Sequence, residues 1–152
     1  MGNRINAPWV KGSRFKMPKK EQTDRILKAV RNPHTTILGH MTGRQLQRRP
    51  GYEIDIADVL RACAEYGVAV EINAHPWRLD LDWRWHEKAL DCGCMLSINP
   101  DAHSIRELDH MHWGIEMARK GGVPADRVLN AMALPKLLRY LSQRRRSVGR
   151  AA

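Results

Sequence analysis

Two residues that can bind a metal ion, Asp101 and His103, directly follow a short apolar segment. The run from Met95 to Ile98 predicts a buried strand, and Pro100 ends it because proline lacks the N–H that a sheet requires. A carboxylate and an imidazole can share a divalent cation through oxygen and nitrogen. The same pattern also fits a loop aspartate that caps a helix beside a surface histidine, so the choice depends on ligands from other strands.

Strands and helices alternate along the chain. The apolar runs 35–38, 68–74 and 95–98 predict strands, which recur about every 30 residues, as in βαβ units of a parallel sheet. Helical periodicity predicts that the segments between and after the strands are helices. The predicted helices are 21–31, one capped by Asp55 and ended by Gly67, 82–90, 105–120 started by a Ser104/Glu107 capping box, a short one from Pro124 through Met132, and 135–141. The helix 105–120 is expected to bury Leu108, Met111, Ile115 and Ala118.

Polar side chains follow all three predicted strands. His40 follows the first, Glu71 and Asn73 lie at the end of the second, and Asp101 and His103 follow the third. Because the carboxyl ends of parallel strands lie at one edge, these groups are expected to meet there. In enzymes built from parallel βαβ units, the catalytic residues lie at that edge of the sheet.

Composition limits the class of protein. A chain of 152 residues with 43% hydrophobic residues suits one globular domain. No apolar run approaches the roughly 20 residues of a membrane span, and the three cysteines suit a reducing compartment, so we expect a cytoplasmic protein without membrane partners. The pair Cys92 and Cys94 with Cys63 could bind a soft metal, but core packing explains such cysteines more often.

The net charge of +10 is concentrated at the two ends. Residues 1–31 hold nine basic and two acidic residues, and residues 136–152 hold six basic residues and no acidic ones. Basic ends attract a polyanion such as nucleic acid, although such tails also serve solubility alone.

Four segments together resemble a known family. They resemble the later motifs of the PHP (polymerase and histidinol phosphatase) domain, most closely the form attached to bacterial family X DNA polymerases, over residues 13 to 141. The segments are Gly39–Arg44, Glu71–Ala74, Pro76–Leu81 and Pro100–Ser104.

The resemblance implies a fold and an activity. The fold would be α/β, part of a distorted TIM-like barrel in which parallel strands alternate with helices. The activity would be metal-dependent phosphoester hydrolysis with manganese or zinc. In the polymerase-linked form it implies a 3′–5′ exonuclease that acts on DNA 3′ ends in repair.

The resemblance also assigns roles to residues. His40, Asp101 and His103 match metal ligands. Supporting or phosphate-facing positions match Glu71, Asn73, Arg44 and Arg78. His75 falls where the family varies and is expected to be a solvent-exposed loop residue, as are His34, His86, His110 and His112. The last two are spaced i, i+2 and cannot chelate as a pair.

The family's earlier ligands have no counterpart here, and Gly12 stands where one upstream histidine would be. We therefore expect residues 1–12 to be an irregular leader, 13–141 the C-terminal half of a PHP domain, and 142–152 a basic tail. Three ligands suffice for one ion but not for a cluster. Completion by self-association or by a separate N-terminal half is therefore a possible partnership.

Several functions remain open. The chain is either a phosphoesterase or exonuclease module, a non-catalytic remnant of one, or a basic nucleic-acid-binding fragment. A small-molecule phosphatase like histidinol phosphatase is a further alternative.

Overall fold

The computed structural model describes residues 17–149, which form an α/β fold around three parallel strands. The strands β1 (Ile37–Leu38), β2 (Ala69–Asn73) and β3 (Leu96–Asn99) lie in the order β1-β2-β3, with Asn73 opposite Asn99. The predicted alternation and the parallel pairing are confirmed. The carboxyl ends of all three strands therefore share one edge, which we call the carboxyl edge.

Helices connect and follow the strands. Within the described part of the chain, the α-helices are α1 (Lys19–Val30), α2 (Ile56–Glu65), α3 (His86–Asp91), α4 (Met111–Lys120) and α5 (Leu134–Gly149). Shorter 3-10 helices lie at Trp83–Trp85, Ile105–His110, Ala125–Arg127 and Leu129–Ala131. None of the helices in residues 17–149 is both long and apolar enough to cross a membrane.

The core forms where α2 packs against the sheet. All five residues of β2 are buried, as expected for a strand covered on both faces. Leu60 of α2, Ile72 of β2 and Leu96 of β3 are each at most 1% exposed, and full burial of such a side chain contributes about 1.5–3 kcal/mol. The predicted cap of α2 is confirmed, because the Asp55 side chain accepts a hydrogen bond from the Asp58 N–H.

The segment after β3 differs from the prediction. It begins as the 3-10 helix Ile105–His110 and becomes α-helical only at Met111. The change in helical period rotates the faces, so Leu108 and Ile115, predicted to be buried, are 55% and 40% exposed. The predicted capping box is also wrong. The Ser104 side chain makes no capping bond, and Glu107 accepts instead from the His103 N–H at 2.6 Å.

The first half of α4 lies directly on the strand ends. Gly114 is buried, and a Cβ atom there would lie 2.5 Å from Cγ2 of Ile98 and 2.7 Å from Cβ of Ala74. Only glycine lets the helix backbone approach the sheet this closely. The contact fixes the 3-10 helix Ile105–His110, which precedes α4, next to the carboxyl edge.

The predicted domain limits fall mostly at the chain ends. The predicted leader, residues 1–12, lies outside the described residues. The last helix is longer than the predicted 135–141, since α5 continues to Gly149 through an arginine-rich stretch with good helix propensity. Beyond β3, Val128 adds a parallel bridge to Leu96. The partial TIM-like barrel and the division into three parts stay predictions.

Candidate active site at the carboxyl edge of the sheet

His40 lies just beyond β1 and is held there through its backbone. Its N–H donates to Oε2 of Glu71 at 2.6 Å, and its φ of 29° lies in the left-handed region that non-glycine residues rarely adopt. The buried Glu71 carboxylate also accepts from the side-chain amides of Asn73, at 3.1 Å, and Asn99, at 2.8 Å. One carboxylate thus links the ends of all three strands.

A second buried carboxylate shapes the loop after His40. Oδ2 of Asp80 accepts from the N–H groups of Thr42 and Gly43, each at 3.0 Å. Asp80 is fully buried, and burial raises the pKa of its carboxyl group despite these hydrogen bonds. Gly43 N–H also donates to the His40 carbonyl at 2.8 Å, and Gly43 has a φ of 64°. The His40 loop is therefore fixed at both ends.

Arg44 joins the loop after β1 to the loop after β2. Its Nε donates to the Arg78 carbonyl at 2.8 Å and its Nη1 to Oδ2 of Asp82 at 2.6 Å, while Nη2 contacts the Leu79 carbonyl. Hydrogen bonds from Arg84 and then from Arg44 hold the pKa of Asp82 well below its usual range. All three guanidinium nitrogens of Arg44 face protein groups, and its supporting or phosphate-facing role stays a prediction.

Asp101 lies at the end of β3 and pairs with Arg78. The distance from Nε of Arg78 to Oδ2 of Asp101 is 3.0 Å, and the two side chains are only 10% and 12% exposed. Like His40, Asp101 has a left-handed backbone, with a φ of 54°. The structure thus couples a predicted ligand, Asp101, to a predicted phosphate-facing cation, Arg78.

His103 points outward. Its side chain is 76% exposed, and Nδ1 lies 3.8 Å from Oε2 of Glu107. His40, Asp101 and His103 all follow the carboxyl ends of β1 and β3 as predicted, yet each contacts a different partner. In residues 17–149, the one group of three potential ligands whose ligand atoms all lie within 4.8 Å is a different one. Their assignment as ligands stays a prediction.

That group is the outer triad, His75, Glu107 and His110. The rings of His75 and His110 meet edge to face with centroids 4.8 Å apart. Burial, and next the proximity of His110, lower the pKa of His75. The hydrogen bond from the His103 N–H lowers the pKa of Glu107. All three residues are partly buried.

The triad could not be recognised from the spacing of His110 and His112 alone. Glu107 and His110 are spaced i, i+3, a separation that places two side chains on one helical face. His75 follows β2, so it reaches the same edge as Asp101. The prediction that His75 and His110 are solvent-exposed loop residues is wrong, because both are partly buried in the triad.

The other expectations had mixed outcomes. The prediction of an exposed His86 is wrong: the ring is fully buried, its Nε2 lies 3.2 Å from the Leu81 carbonyl, and burial lowers its pKa. His34 and His112 are exposed as predicted. Burial raises the pKa of the Cys94 thiol to about 12 and that of Cys63 further still. Both side chains are buried among core residues, which favours core packing over a soft-metal site.

Fold and edge together define an α/β protein with a polar site at the carboxyl ends of parallel strands. The chain is 40% identical over 131 residues to the DNA polymerase/3'-5' exonuclease PolX of Bacillus subtilis, covering 86% of this chain and 23% of that protein. It is 28% identical over 136 residues to a probable phosphatase of Thermoanaerobacter sp., covering 86% of this chain and 53% of the relative. A probable phosphatase of Edwardsiella ictaluri is 31% identical over 132 residues, covering 83% of this chain and 51% of the relative.

The chain therefore spans between about a quarter and a half of the length of these curated relatives. No family model matches it. The similarities support a relation to phosphoesterases of the PHP type. All three relatives match nearly the same share of this chain, 83% to 86%.

Proposed function

We propose that this chain carries part of a metal-dependent phosphoesterase centre of the PHP type, with His40, Asp101 and His103 as metal ligands. Two nitrogen donors and one oxygen donor suit zinc or manganese. The observation that carries the proposal is the left-handed backbone of both His40 and Asp101 at the carboxyl ends of neighbouring strands. Such conformations cost free energy and are concentrated at functional sites.

In this proposal, the buried groups position the ligands. Glu71 holds the backbone of His40, and Asp80 fixes the loop that follows it. Arg78 balances the charge of Asp101 at a 3.0 Å contact, and the supporting or phosphate-facing role proposed for it comes from the resemblance alone. A bound divalent cation would supply activation of water and charge neutralisation on the phosphoryl oxygens.

Three ligands suit one cation. A cluster of ions needs donors beyond these three, and in the proposed barrel they come from strands that the described residues do not contain. In the proposal, a second copy of this chain or a missing N-terminal half supplies those strands.

The proposed substrate is the 3′ end of DNA. The relative with 40% identity is named a 3'-5' exonuclease, and the basic residues of the chain favour a polyanion. A small phosphate ester is the second candidate, because the other relatives are named probable phosphatases.

The test uses the full chain with added manganese or zinc and a DNA oligonucleotide labelled at its 5′ end. We expect stepwise shortening from the 3′ end, and a loss of at least about 100-fold in rate in His40→Ala and in Asp101→Ala. His34→Ala, at an exposed histidine between α1 and β1, is the matched control and should keep full activity.

Parallel assays with histidinol phosphate separate the two substrate classes. Turnover that survives both His40→Ala and Asp101→Ala would contradict the proposed site. Salt-sensitive DNA binding without hydrolysis would instead favour the nucleic-acid-binding alternative.

A further inference from the structure

The outer triad brings together side chains from two separate segments. His75 comes from the loop after β2, while Glu107 and His110 come from successive turns of the 3-10 helix Ile105–His110. Their ligand atoms all lie within 4.8 Å of one another, and the close contact at Gly114 anchors the helix that follows. None of the three matched a ligand position of the resembled family.

One buried nitrogen of the triad lacks a hydrogen bond. Nδ1 of His110 is buried and has no hydrogen-bond partner. Buried polar atoms are nearly always paired, so an unpaired imidazole nitrogen indicates a partner that protein atoms do not provide. The His110 ring lies beside a second imidazole and a carboxylate, and a cation could bind all three groups together.

We propose that His75, Glu107 and His110 form a second metal site, for a zinc-like divalent cation, next to the Arg78–Asp101 pair. Two imidazole nitrogens and one carboxylate oxygen are a common ligand set for zinc, with a fourth position left for water or substrate. The carboxylate is already oriented, because Oε2 of Glu107 accepts from the His103 N–H. The site shares no residue with His40, Asp101 and His103.

Binding requires two small changes. Ligand atoms of a tetrahedral zinc ion lie about 3.4 Å apart, so the triad must contract from separations of up to 4.8 Å. Nδ1 of His75 now accepts from the Trp77 N–H at 3.2 Å. Coordination through Nε2 therefore places the ring proton on Nδ1 and gives up that one hydrogen bond in exchange for a metal bond.

The test uses the full chain and the metals alone. Cobalt is titrated while the visible absorption of tetrahedral cobalt is followed, and zinc is then titrated by calorimetry. We expect His110→Ala and Glu107→Gln each to weaken binding at this site by at least about 100-fold. His112→Ala and Glu116→Gln are the matched controls, because both change exposed residues of α4. They should bind as the unchanged chain does.

Two further variants separate this site from the proposed phosphoesterase site. His40→Ala and Asp101→Ala should keep the tetrahedral cobalt spectrum, whether or not the chain hydrolyses phosphoesters. A spectrum lost in His40→Ala but kept in His110→Ala would overturn the proposal and assign the ion to the other site. No tetrahedral spectrum in the unchanged chain would also overturn it.

Thermal unfolding distinguishes a variant that has lost metal binding from one that has failed to fold. Zinc should raise the melting temperature of the unchanged chain by mass action. The rise should be smaller in His110→Ala, which keeps only the proposed phosphoesterase site, although that variant still unfolds cooperatively. An equal rise in both proteins would contradict the site.

Discussion

The two halves of the carboxyl edge are built differently. We call one half the buried network; it consists of Arg44, Glu71, Asp80 and Asp82. The other half is the outer triad with His103. Bonds of the buried network mostly end on backbone N–H and carbonyl groups of the loops, so they fix loop shape. The outer groups chiefly contact one another and stay partly open to solvent.

This difference indicates that the buried network positions the loops, whereas the outer triad is available to bind a ligand. A group whose hydrogen-bonding capacity is used inside the fold contributes stability, and its loss leaves buried donors unpaired. A partly exposed side chain that contacts only other potential ligands adds little to the free energy of unfolding, but it can bind a metal ion. Variants of the first kind should therefore unfold the protein more easily, whereas variants of the second kind should change only what it binds.

The largest effect is expected at Glu71. Glu71→Ala leaves three donors, on His40, Asn73 and Asn99, without their acceptor, and unpaired buried groups cost about 1–3 kcal/mol each. We expect a loss of at least about 3 kcal/mol in the free energy of unfolding, measured by urea denaturation. Glu71→Gln, which keeps one carbonyl acceptor, should lose less. The exposed Glu65→Ala is the control, and an equal loss there would refute the argument.

A smaller loss is expected at Arg44. Arg44→Lys keeps the charge but replaces a planar fork with one ammonium group, which cannot reach the carbonyls of Arg78 and Leu79 and the Asp82 carboxylate together. The expected loss is about 2 kcal/mol by the same urea measurement. Arg119→Lys, at an exposed pair with Glu116, should change stability by less than about 0.5 kcal/mol. Similar losses in both variants would mean that the contacts of Arg44 stabilise the fold no more than an exposed ion pair does.

The fold could be predicted largely because its signals are local. Short β-branched strands, the Asp55 cap and the 30-residue spacing all depend on neighbours in sequence, and they gave the right element order. The helix after β3 was misjudged because its 3-10 start depends on packing near Gly114, a contact between distant segments. Periodicity cannot reveal a change of helical type.

The site was predictable only in outline. The positions of His40 and Asp101 follow from the parallel sheet, since each directly follows a strand. Their partners do not, because Glu71 and Arg78 meet them through hydrogen bonds across 31 and 23 residues of sequence. The outer triad needs the same long-range information for His75, although the Glu107/His110 spacing was visible.

Acid should destabilise the protein through two histidines, the buried His86 and the partly buried His75. Burial lowers the pKa of His86 and of His75 below 6.5 in the folded chain, so the unfolded chain takes up protons first as the pH falls. Stability is therefore full above about pH 6.5 and is lost as the pH falls from there towards the folded pKa values. The raised pKa of Asp80 acts in the opposite direction, since protonation of its buried carboxyl group favours the folded state.

A histidine variant identifies the group responsible. His86→Gln, which keeps a donor for the Leu81 carbonyl, should show a shallower loss of unfolding free energy between pH 7 and pH 5 than the unchanged chain. His34→Ala, at an exposed position, should keep the full dependence. The same slope in all three proteins would assign the acid sensitivity to other groups.

The smallest effect on stability is expected at His103, where the comparison between the two halves is sharpest. Its side chain is 76% exposed, so His103→Ala should change the free energy of unfolding by less than about 0.5 kcal/mol. Glu107 keeps its hydrogen bond in this variant, because the donor is the backbone N–H of residue 103 and not the ring. If His103 is a ligand, as proposed, phosphoester hydrolysis should nevertheless fall at least about 100-fold. A stable variant with full activity would remove His103 from the proposed centre and leave the outer triad intact.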